Sequence, residues 1–436
     1  VIGCGYLGAV HAASMAELGH DVVGVDVDAH KVELLSNGRA PFFEPELEDL
    51  LARNVDTGRL TFTQDFSAIE GAQIHFIGVG TPQSESGAAD MTYVDAAVSS
   101  MLPHLGYCTS GPEVVAGKST VPVGTASRLA QAIEPTGALL VWNPEFLREG
   151  FAVQDTLRPD RMVYGLPADP GAATKAQEAM DAVYEQILAS GTPRLLMDYA
   201  TAELVKISAN AFLATKISFI NAMSQVCDAA GANVTALAEA IGMDDRIGRR
   251  FLRAGIGFGG GCLPKDIRAF QARADELGVG DALTFLAEVD KVNDTMRAGV
   301  IRTVRGLLGD RLAGATVTVL GAAFKPDSDD MRNSPALDLA VELAHLAKRV
   351  VVHDPAAGPI LAERSNRPYE VALSAHSALE GTDLVLIGTE WREYRDLDPA
   401  QAADLARTRY VIDGRNCLDA QAWKAAGWSY RGIGRR

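Results

Sequence analysis

Short apolar runs separated by amphipathic stretches recur along the first half of the chain. Val1 and Ile2 lead into Gly3-Cys4-Gly5-Tyr6-Leu7-Gly8, and an Ala-rich helix is expected over Ala9–Leu18, stopped at Gly19. Strands are expected at Asp21–Asp26, Ile74–Val79, Val114–Gly117 and Leu139–Trp142. Short apolar strands alternating with helices predict a parallel sheet covered on both faces. The pattern then changes: Tyr199–Ala230 holds neither Pro nor Gly, and Gly231 supplies a stop. A helix of that length would run about 45 Å, more than the radius of a small domain, so it is expected to connect two domains. Its stretch Ala211–Met223 is apolar on most faces, which asks for burial on several sides, as an interface with a second subunit would provide.

After Gly314 the alternation returns. Thr316–Leu320 runs into Gly321-Ala322-Ala323-Phe324-Lys325, a helix over Pro335–Leu346 follows, and Arg349–His353 ends at Asp354-Pro355. Asp383–Gly388 and Tyr410–Gly414 are further strands. The order strand, Gly turn, helix, strand ending in Asp echoes the first half. The fold class is therefore α/β: two Rossmann-like doubly wound domains joined by a long central helix and a helical region. The boundaries expected are 1–198, 199–300 and 301–436.

Composition narrows the function. The 436 residues carry a net charge of −16, which argues against nucleic acid or an anionic membrane as partner but not against a small anion held by a local cationic cluster. The five cysteines form no CxxC, which disfavours a disulfide framework and fits a reducing cytoplasm. No HExxH or other ligand spacing supports a metal. No apolar stretch is long enough to span a membrane, and no signal peptide is expected. The chain begins at the end of a strand, so a few preceding residues are expected to complete it.

Gly3-x-Gly5-x-x-Gly8 follows a strand and opens a helix, and Asp26 closes the next strand 18 residues after Gly8. That register fits a dinucleotide site: the glycines admit a pyrophosphate to backbone N–H groups, and the Asp accepts from the ribose hydroxyls. An acid there favours NAD over NADP. Lys31 is near enough in sequence to reach a phosphate or the ribose edge, and Cys4 reads as a small filler. Gly78–Pro82 and Ser119–Gly124 each follow a strand, which puts Thr81 and Thr120 at the crevice end of the sheet or in ordinary turns.

Cys262 sits in Phe258-Gly259-Gly260-Gly261-Cys262-Leu263-Pro264-Lys265-Asp266. Hydride transfer alone turns an alcohol into an aldehyde; going on to an acid requires a tetrahedral adduct, which a thiolate forms and later leaves as a thioester. Pro264 and the three glycines argue against a buried structural thiol. Lys265 would keep the thiol ionised or bind phosphate, and Asp266 would orient water or Lys206. Lys206 and Asn210 share one face of the long helix; they are either oxyanion donors or a solvated polar stripe. Glu145 and Glu149, in Asn143–Gly150, are again four apart. They are candidates for relaying a proton or positioning water, or else part of an exposed helix face.

These runs resemble the UDP-glucose/GDP-mannose dehydrogenase family, most closely its UDP-glucose branch. The resemblance rests on Gly3–Gly8, Ser119–Gly124 with Asn143–Gly150, Glu203–Asn221, Gly257–Asp266 and Gly321–Pro335. It implies an NAD domain, a central dimerisation region giving a homodimer, and a C-terminal UDP-binding domain. It further implies oxidation of C6 of UDP-glucose to the carboxylate with two NAD. Cys262 would be the nucleophile, with Lys206, Asn210 and Asp266 stabilising oxyanions and directing water, and Thr120 and Glu145 positioning water and proton. Cofactor contacts would come from Gly3, Gly5, Tyr6, Leu7, Gly8, Asp26, Lys31, Thr81, Thr120, Glu149, Lys265 and Arg332. The nucleotide sugar would meet Glu145, Phe146, Leu147, Lys206, Asn210, Lys325 and Arg415, with Phe251, Arg253, Gly257, Phe258 and Gly259 cradling the UDP and Arg246 reaching a neighbouring subunit. Gly261 stands where the family usually has Ser. The rival readings are a GDP-mannose or other nucleotide-sugar dehydrogenase with the same chemistry, and a two-electron hydroxyacid dehydrogenase with no need for Cys262.

Overall fold

The computed structural model describes residues 1–435. The chain forms two compact units, Val1–Ala209 with Ala269–Gly280, and Asn210–Arg268 with Asp281 to the C-terminus. The division falls inside two helices, Tyr199–Ala230 and Leu263–Glu276.

The first unit holds strands β1 (Val22–Val25), β2 (Leu60–Thr63), β3 (Ile74–Ile77), β4 (Val114–Gly117), β5 (Leu139–Trp142), β6 (Met162–Leu166) and β7 (Arg194–Asp198). β3 to β7 lie side by side in sequence order, and β1 pairs with β2. Ile2 bridges to both Val25 and Ile77, so the chain's first residues join the two groups of strands. The pairing is parallel as expected, with one exception: β5 meets β6 antiparallel at Trp142 and Gly165. Gly165 eases that approach, because a Cβ there would lie 3.1 Å from the Trp142 side chain, and it lets the long helix close in, because the same Cβ would lie 2.6 Å from the Ala202 side chain. Val114, Val115, Ala116 and Val141 are wholly buried, which accounts for the unbroken apolar runs of β4 and β5.

The second unit carries β8 (Thr316–Leu320), β9 (Arg349–His353), β10 (Glu370–Val371), β11 (Leu384–Ile387), β12 (Tyr410–Asp413) and β13 (Ser429–Gly432). They form one parallel sheet in the order β10-β9-β8-β11-β12-β13. The helix Thr284–Leu308 buries Val300, Ile301, Val304 and Leu308 in the same core as Val317, Val319 and Leu384.

The echo between the halves has an atomic counterpart. Asp26, just after β1, accepts from the backbone N–H of Cys4 at 2.7 Å. Asp354, just after β9, accepts from the N–H groups of Ala322 and Ala323 at 2.7 and 2.9 Å. Each acid holds the first Gly turn of its own domain. In the second domain, however, the Trp391 indole also donates to Asp354, and Ala322 and Ala323 are fully buried. That turn is closed over by side chains, where the first remains open.

The long helix covers Tyr199–Ala230 as read from the sequence. Burial on several sides of its second half is not reached within one chain. Ala211, Ala214 and Ile220 are buried, but Phe212, Phe219 and Val226, seven residues apart in succession, are exposed at 66, 49 and 57%.

Candidate active site

The three fingerprint glycines differ in what they make possible. Gly3 has φ +83°, and a Cβ on it would strike Val79. A Cβ on Gly8 would lie 1.7 Å from the Gly3 carbonyl oxygen, so helix and strand pack as closely as backbone allows. A Cβ on Gly5 would meet nothing within 4 Å. Gly5 therefore faces open space at the N-terminus of the helix Tyr6–Glu17, where helix N–H groups attract a phosphate. These are the separate duties a dinucleotide loop assigns to its glycines: the turn, the approach of the pyrophosphate, and the helix packing. The residues present fit NAD.

Asp26 is buried and its carboxylate also accepts from Asp28 N–H at 3.0 Å, with the Lys31 ammonium 3.7 Å away. Cys4 is fully buried, and burial pushes its thiol up to about 12, which makes it the inert filler expected. Tyr6 is tied by its phenol to Glu44, and Glu44 accepts from the N–H groups of Gly150 and Ala152 at 2.6 and 2.7 Å. The field of Glu149 reaches the Tyr6 phenol. Sequence reading passed over Glu44, whose backbone partners Gly150 and Ala152 lie more than a hundred residues away.

The two later turns of the sheet are linked. Thr81 donates to the Thr120 carbonyl at 2.8 Å, and Ser119 donates to the Val79 carbonyl at 2.6 Å. Buried Glu203 accepts from the N–H groups of Gly124 and Ala126 at 2.7 and 2.6 Å, capping the helix Thr125–Ile133 from the long helix. Lys206, one turn further on, meets the Glu145 carboxylate at 3.2 Å, and both side chains are largely buried. Glu145 also accepts from Leu147 N–H at 2.6 Å. The Phe146 ring is approached by two cations, the Lys206 ammonium at 5.6 Å and the Arg161 guanidinium at 3.9 Å. Leu147 packs against the cluster that contains Cys4 and Ala9. Lys206 is thus not part of a solvated stripe, and Glu145 does not lie on an exposed helix face.

In the second unit Cys262 is exposed and is the residue before the helix Leu263–Glu276; its carbonyl accepts from Asp266 N–H at 2.9 Å. A thiol at a helix N-terminus has its thiolate favoured by the helix dipole. Asp266 is 2% exposed and accepts from Asn210 at 2.6 Å and from the Lys265 ammonium at 2.5 Å. The glycines before the thiol are required by close neighbours. A Cβ on Gly259 would lie 2.2 Å from the Asn333 carbonyl oxygen, and one on Gly260 would enter the Phe324 ring. At Gly261 the space is taken by the flexible Arg332 guanidinium, 2.3 Å from where a Cβ would be. Arg332 also pairs with Asp330 at 2.7 Å.

The segment Phe251–Gly259 is pinned by two asparagines that sequence reading assigned no role. Asn221 accepts from Gly255 N–H at 2.9 Å, and Asn293 accepts from Phe258 N–H at 2.7 Å and donates to its carbonyl at 3.0 Å. Phe251 adopts φ +62° and stays partly exposed. Arg415 donates to the carbonyls of Gly388, Gly257 and Phe324 at 2.7, 2.8 and 3.4 Å, bracketing three loops. Glu390 lies 3.7 Å from both Arg253 and Arg415, so it offsets part of their charge. Lys325 sits 5.1 Å over the Phe324 ring. Lys265 is engaged with Asp266, and Arg246 stays exposed beside Asp244.

Among the described residues no helix is long and apolar enough to cross a membrane. Three family models match in succession, all of the UDP-glucose/GDP-mannose dehydrogenase family: its NAD binding domain over residues 1–188, its central domain over 200–295 and its UDP binding domain over 318–420. The chain is 40% identical to UDP-glucose 6-dehydrogenase TuaD of Bacillus subtilis, covering all of this chain and 92% of that one. It is 39% identical to UDP-glucose 6-dehydrogenase of Rhizobium meliloti, covering all of this chain and 99% of that one. Among solved structures, a UDP-glucose dehydrogenase from Pyrobaculum islandicum superposes with a TM-score of 0.89 at 36% identity, over all of this chain and 97% of the other. With an open dinucleotide loop in one unit and an exposed thiol before a buried acid in the other, the chain belongs to the UDP-glucose/GDP-mannose dehydrogenase family of NAD-dependent oxidoreductases.

Proposed function

We propose that this enzyme oxidises UDP-glucose to UDP-glucuronate in two NAD-dependent steps, with Cys262 as covalent nucleophile. The observation that carries the reading is the exposed thiol of Cys262 at a helix N-terminus, one turn from buried Asp266, which Asn210 and Lys265 hold. A two-electron dehydrogenase has no use for that array. The choice of substrate is supported by the likeness to the UDP-glucose dehydrogenases named above. Likeness falls to a TM-score of 0.52 at 26% identity for GDP-mannose dehydrogenase of Pseudomonas aeruginosa.

NAD, when bound, accepts one hydride from C6 of the sugar in each oxidation. In the first, the C6 hydroxyl loses its proton as the hydride leaves, and an aldehyde results. The Cys262 thiolate then adds to the aldehyde carbon, and the oxygen takes up a proton to give a thiohemiacetal. Loss of that proton and of the second hydride leaves a thioester. Water adds to the thioester carbon, the C–S bond breaks, and the thiolate returns with the carboxylate released. Lys206 and Asn210 are assigned to the alkoxide oxygens, Asp266 to the hydrolytic water, and Glu145 and Thr120 to water and proton positioning. Gly3, Gly5 and Gly8 with Tyr6 and Leu7 hold the pyrophosphate; Asp26 and Lys31 the ribose; Thr81, Glu149, Lys265 and Arg332 contribute to the cofactor site. Phe146, Leu147, the 251–259 segment, Lys325 and Arg415 receive the nucleotide sugar, and Arg246 reaches a second subunit.

The central region 199–300 is assigned to dimerisation. Phe212, Phe219 and Val226 form an exposed apolar stripe on one helix that a second copy would cover. The cysteines, none of them in a disulfide among the described residues, suit a reducing cytoplasm.

The test is an NADH-coupled assay against UDP-glucose, GDP-mannose and UDP-N-acetyl sugars. Two NADH per UDP-glucose and a carboxylate product are expected. One NADH per sugar, or turnover of only another nucleotide sugar, would overturn the reading.

A further inference from the structure

Lys118 follows β4 directly and is 6% exposed, yet no carboxylate stands within ion-pair distance of it among the described residues. Its ammonium donates to the Asn143 side-chain oxygen at 3.0 Å and to the Tyr184 hydroxyl at 3.4 Å. The Tyr184 hydroxyl donates to the same Asn143 oxygen at 2.9 Å, and the Asn143 amide donates to the Val163 carbonyl at 2.9 Å. The rings of Phe76 and Tyr184 flank the ammonium at 5.6 and 5.9 Å. A buried cation in contact only with neutral groups costs stability, because no contact ion pair offsets its desolvation. Its persistence calls for a use beyond packing.

Asn143 is the first residue after β5, and Asn143-Pro144-Glu145 carries the chain to the carboxylate that meets Lys206. Pro144 stiffens that step, so where Asn143 is fixed decides where Glu145 emerges. We propose that Lys118 is a positioning residue for Glu145, holding Asn143 at the end of the neighbouring strand and so setting the place of the carboxylate that pairs with Lys206.

The electrostatics agree. Burial pushes the Lys118 ammonium down to about 8, and the one acid whose field opposes that shift is Glu145. Of the other titratable groups beside it, the Tyr184 phenol is pushed well up by burial, and His11 is held neutral by burial and by Lys118 itself. The inference rests on the role given to Glu145 above.

Lys118→Met keeps the length of the side chain and removes the charge. Hydrogen exchange monitored by mass spectrometry is expected to speed up across residues 143–151, where Leu147 N–H is bound by Glu145. The kcat should fall about tenfold while NAD affinity and Tm do not fall, because loss of an unpaired buried charge is neutral or stabilising. In a Glu145→Gln background the same substitution should change kcat less than twofold. Unchanged exchange across 143–151, or an equal tenfold loss with and without Glu145, would overturn the proposal. If the wild-type enzyme makes no NADH from UDP-glucose, the functional reading fails, while the exchange measurement still decides the role of Lys118.

Discussion

Asn210 donates to Asp266 across 2.6 Å, and both side chains are buried. Asp266 has a second donor in Lys265, so its two oxygens each serve one partner. Replacing the acid by an amide puts an NH2 group against one of these donors. Asp266→Asn is therefore expected to cost roughly 1.5–3 kcal/mol in transition-state stabilisation, or about 10- to 150-fold in kcat. Asn210→Ala leaves a buried carboxylate oxygen without its donor and should lie in the same range. Steady-state kinetics with NADH detection check both; a loss under threefold in either would show that the pair is only structural.

The glycines of the dinucleotide loop separate binding from folding. Gly5→Ala adds a methyl group where nothing lies within 4 Å, so Tm is expected to stay within about 2 °C while NAD affinity drops at least tenfold. Gly8→Ala drives a methyl group into the Gly3 carbonyl and should destabilise the first unit by about 3 kcal/mol or more. Thermal melts with isothermal titration of NAD distinguish the two. A Gly5→Ala protein that binds NAD normally would remove the loop from the cofactor site.

His11 lies in the helix after that loop, against the edges of Phe76 and Tyr184, and neither ring nitrogen has a hydrogen-bond partner. Burial holds its pKa well below the ordinary histidine value, and the Lys118 charge lowers it further. The unfolded chain therefore binds a proton that the folded one refuses. Stability from this group is fully present above about pH 6.5 and is lost as pH falls through and below that value. Tm is expected to drop between pH 7 and pH 5, and His11→Leu should flatten that drop. An equal drop in the variant would assign the acid sensitivity to other groups.

Much of the architecture was legible because strong local signals coincide with burial. The long helix begins and ends as read, since Gly231 marks its stop and its interior has no breaker. β4, β5, β8 and β9 match their apolar runs residue for residue. β2, β6, β7, β10 and β13 were missed: Leu60–Thr63 buries only Leu60, Arg194–Asp198 buries none of its residues, Ser429–Gly432 buries only Tyr430, and β10 is two residues long, so none of these reads as an apolar run, whereas Met162–Leu166 is apolar and largely buried and was passed over. The antiparallel step at Trp142 and Gly165 leaves no local signature. In the site, Cys262, Lys206, Asn210 and Asp266 stood out because their spacing belongs to recognisable runs. Glu44, Glu203, Lys118, Asn221 and Asn293 did not. Charged and amide side chains read as solvated until the fold brings distant backbone N–H or carbonyl groups to them, as Gly150 comes to Glu44 from 106 residues away. Gly261 was noticed as a departure, but only the structure shows the Arg332 guanidinium in its place.

The covalent role of Cys262 can be read directly by peptide mass analysis after acid quenching of a Lys206→Ala enzyme turning over UDP-glucose with NAD. The expected result is a sugar-nucleotide mass on the peptide that contains Cys262, absent from the same peptide when NAD is withheld. An unmodified Cys262 peptide, together with a Cys262→Ser enzyme that still yields two NADH per sugar, would contradict the mechanism.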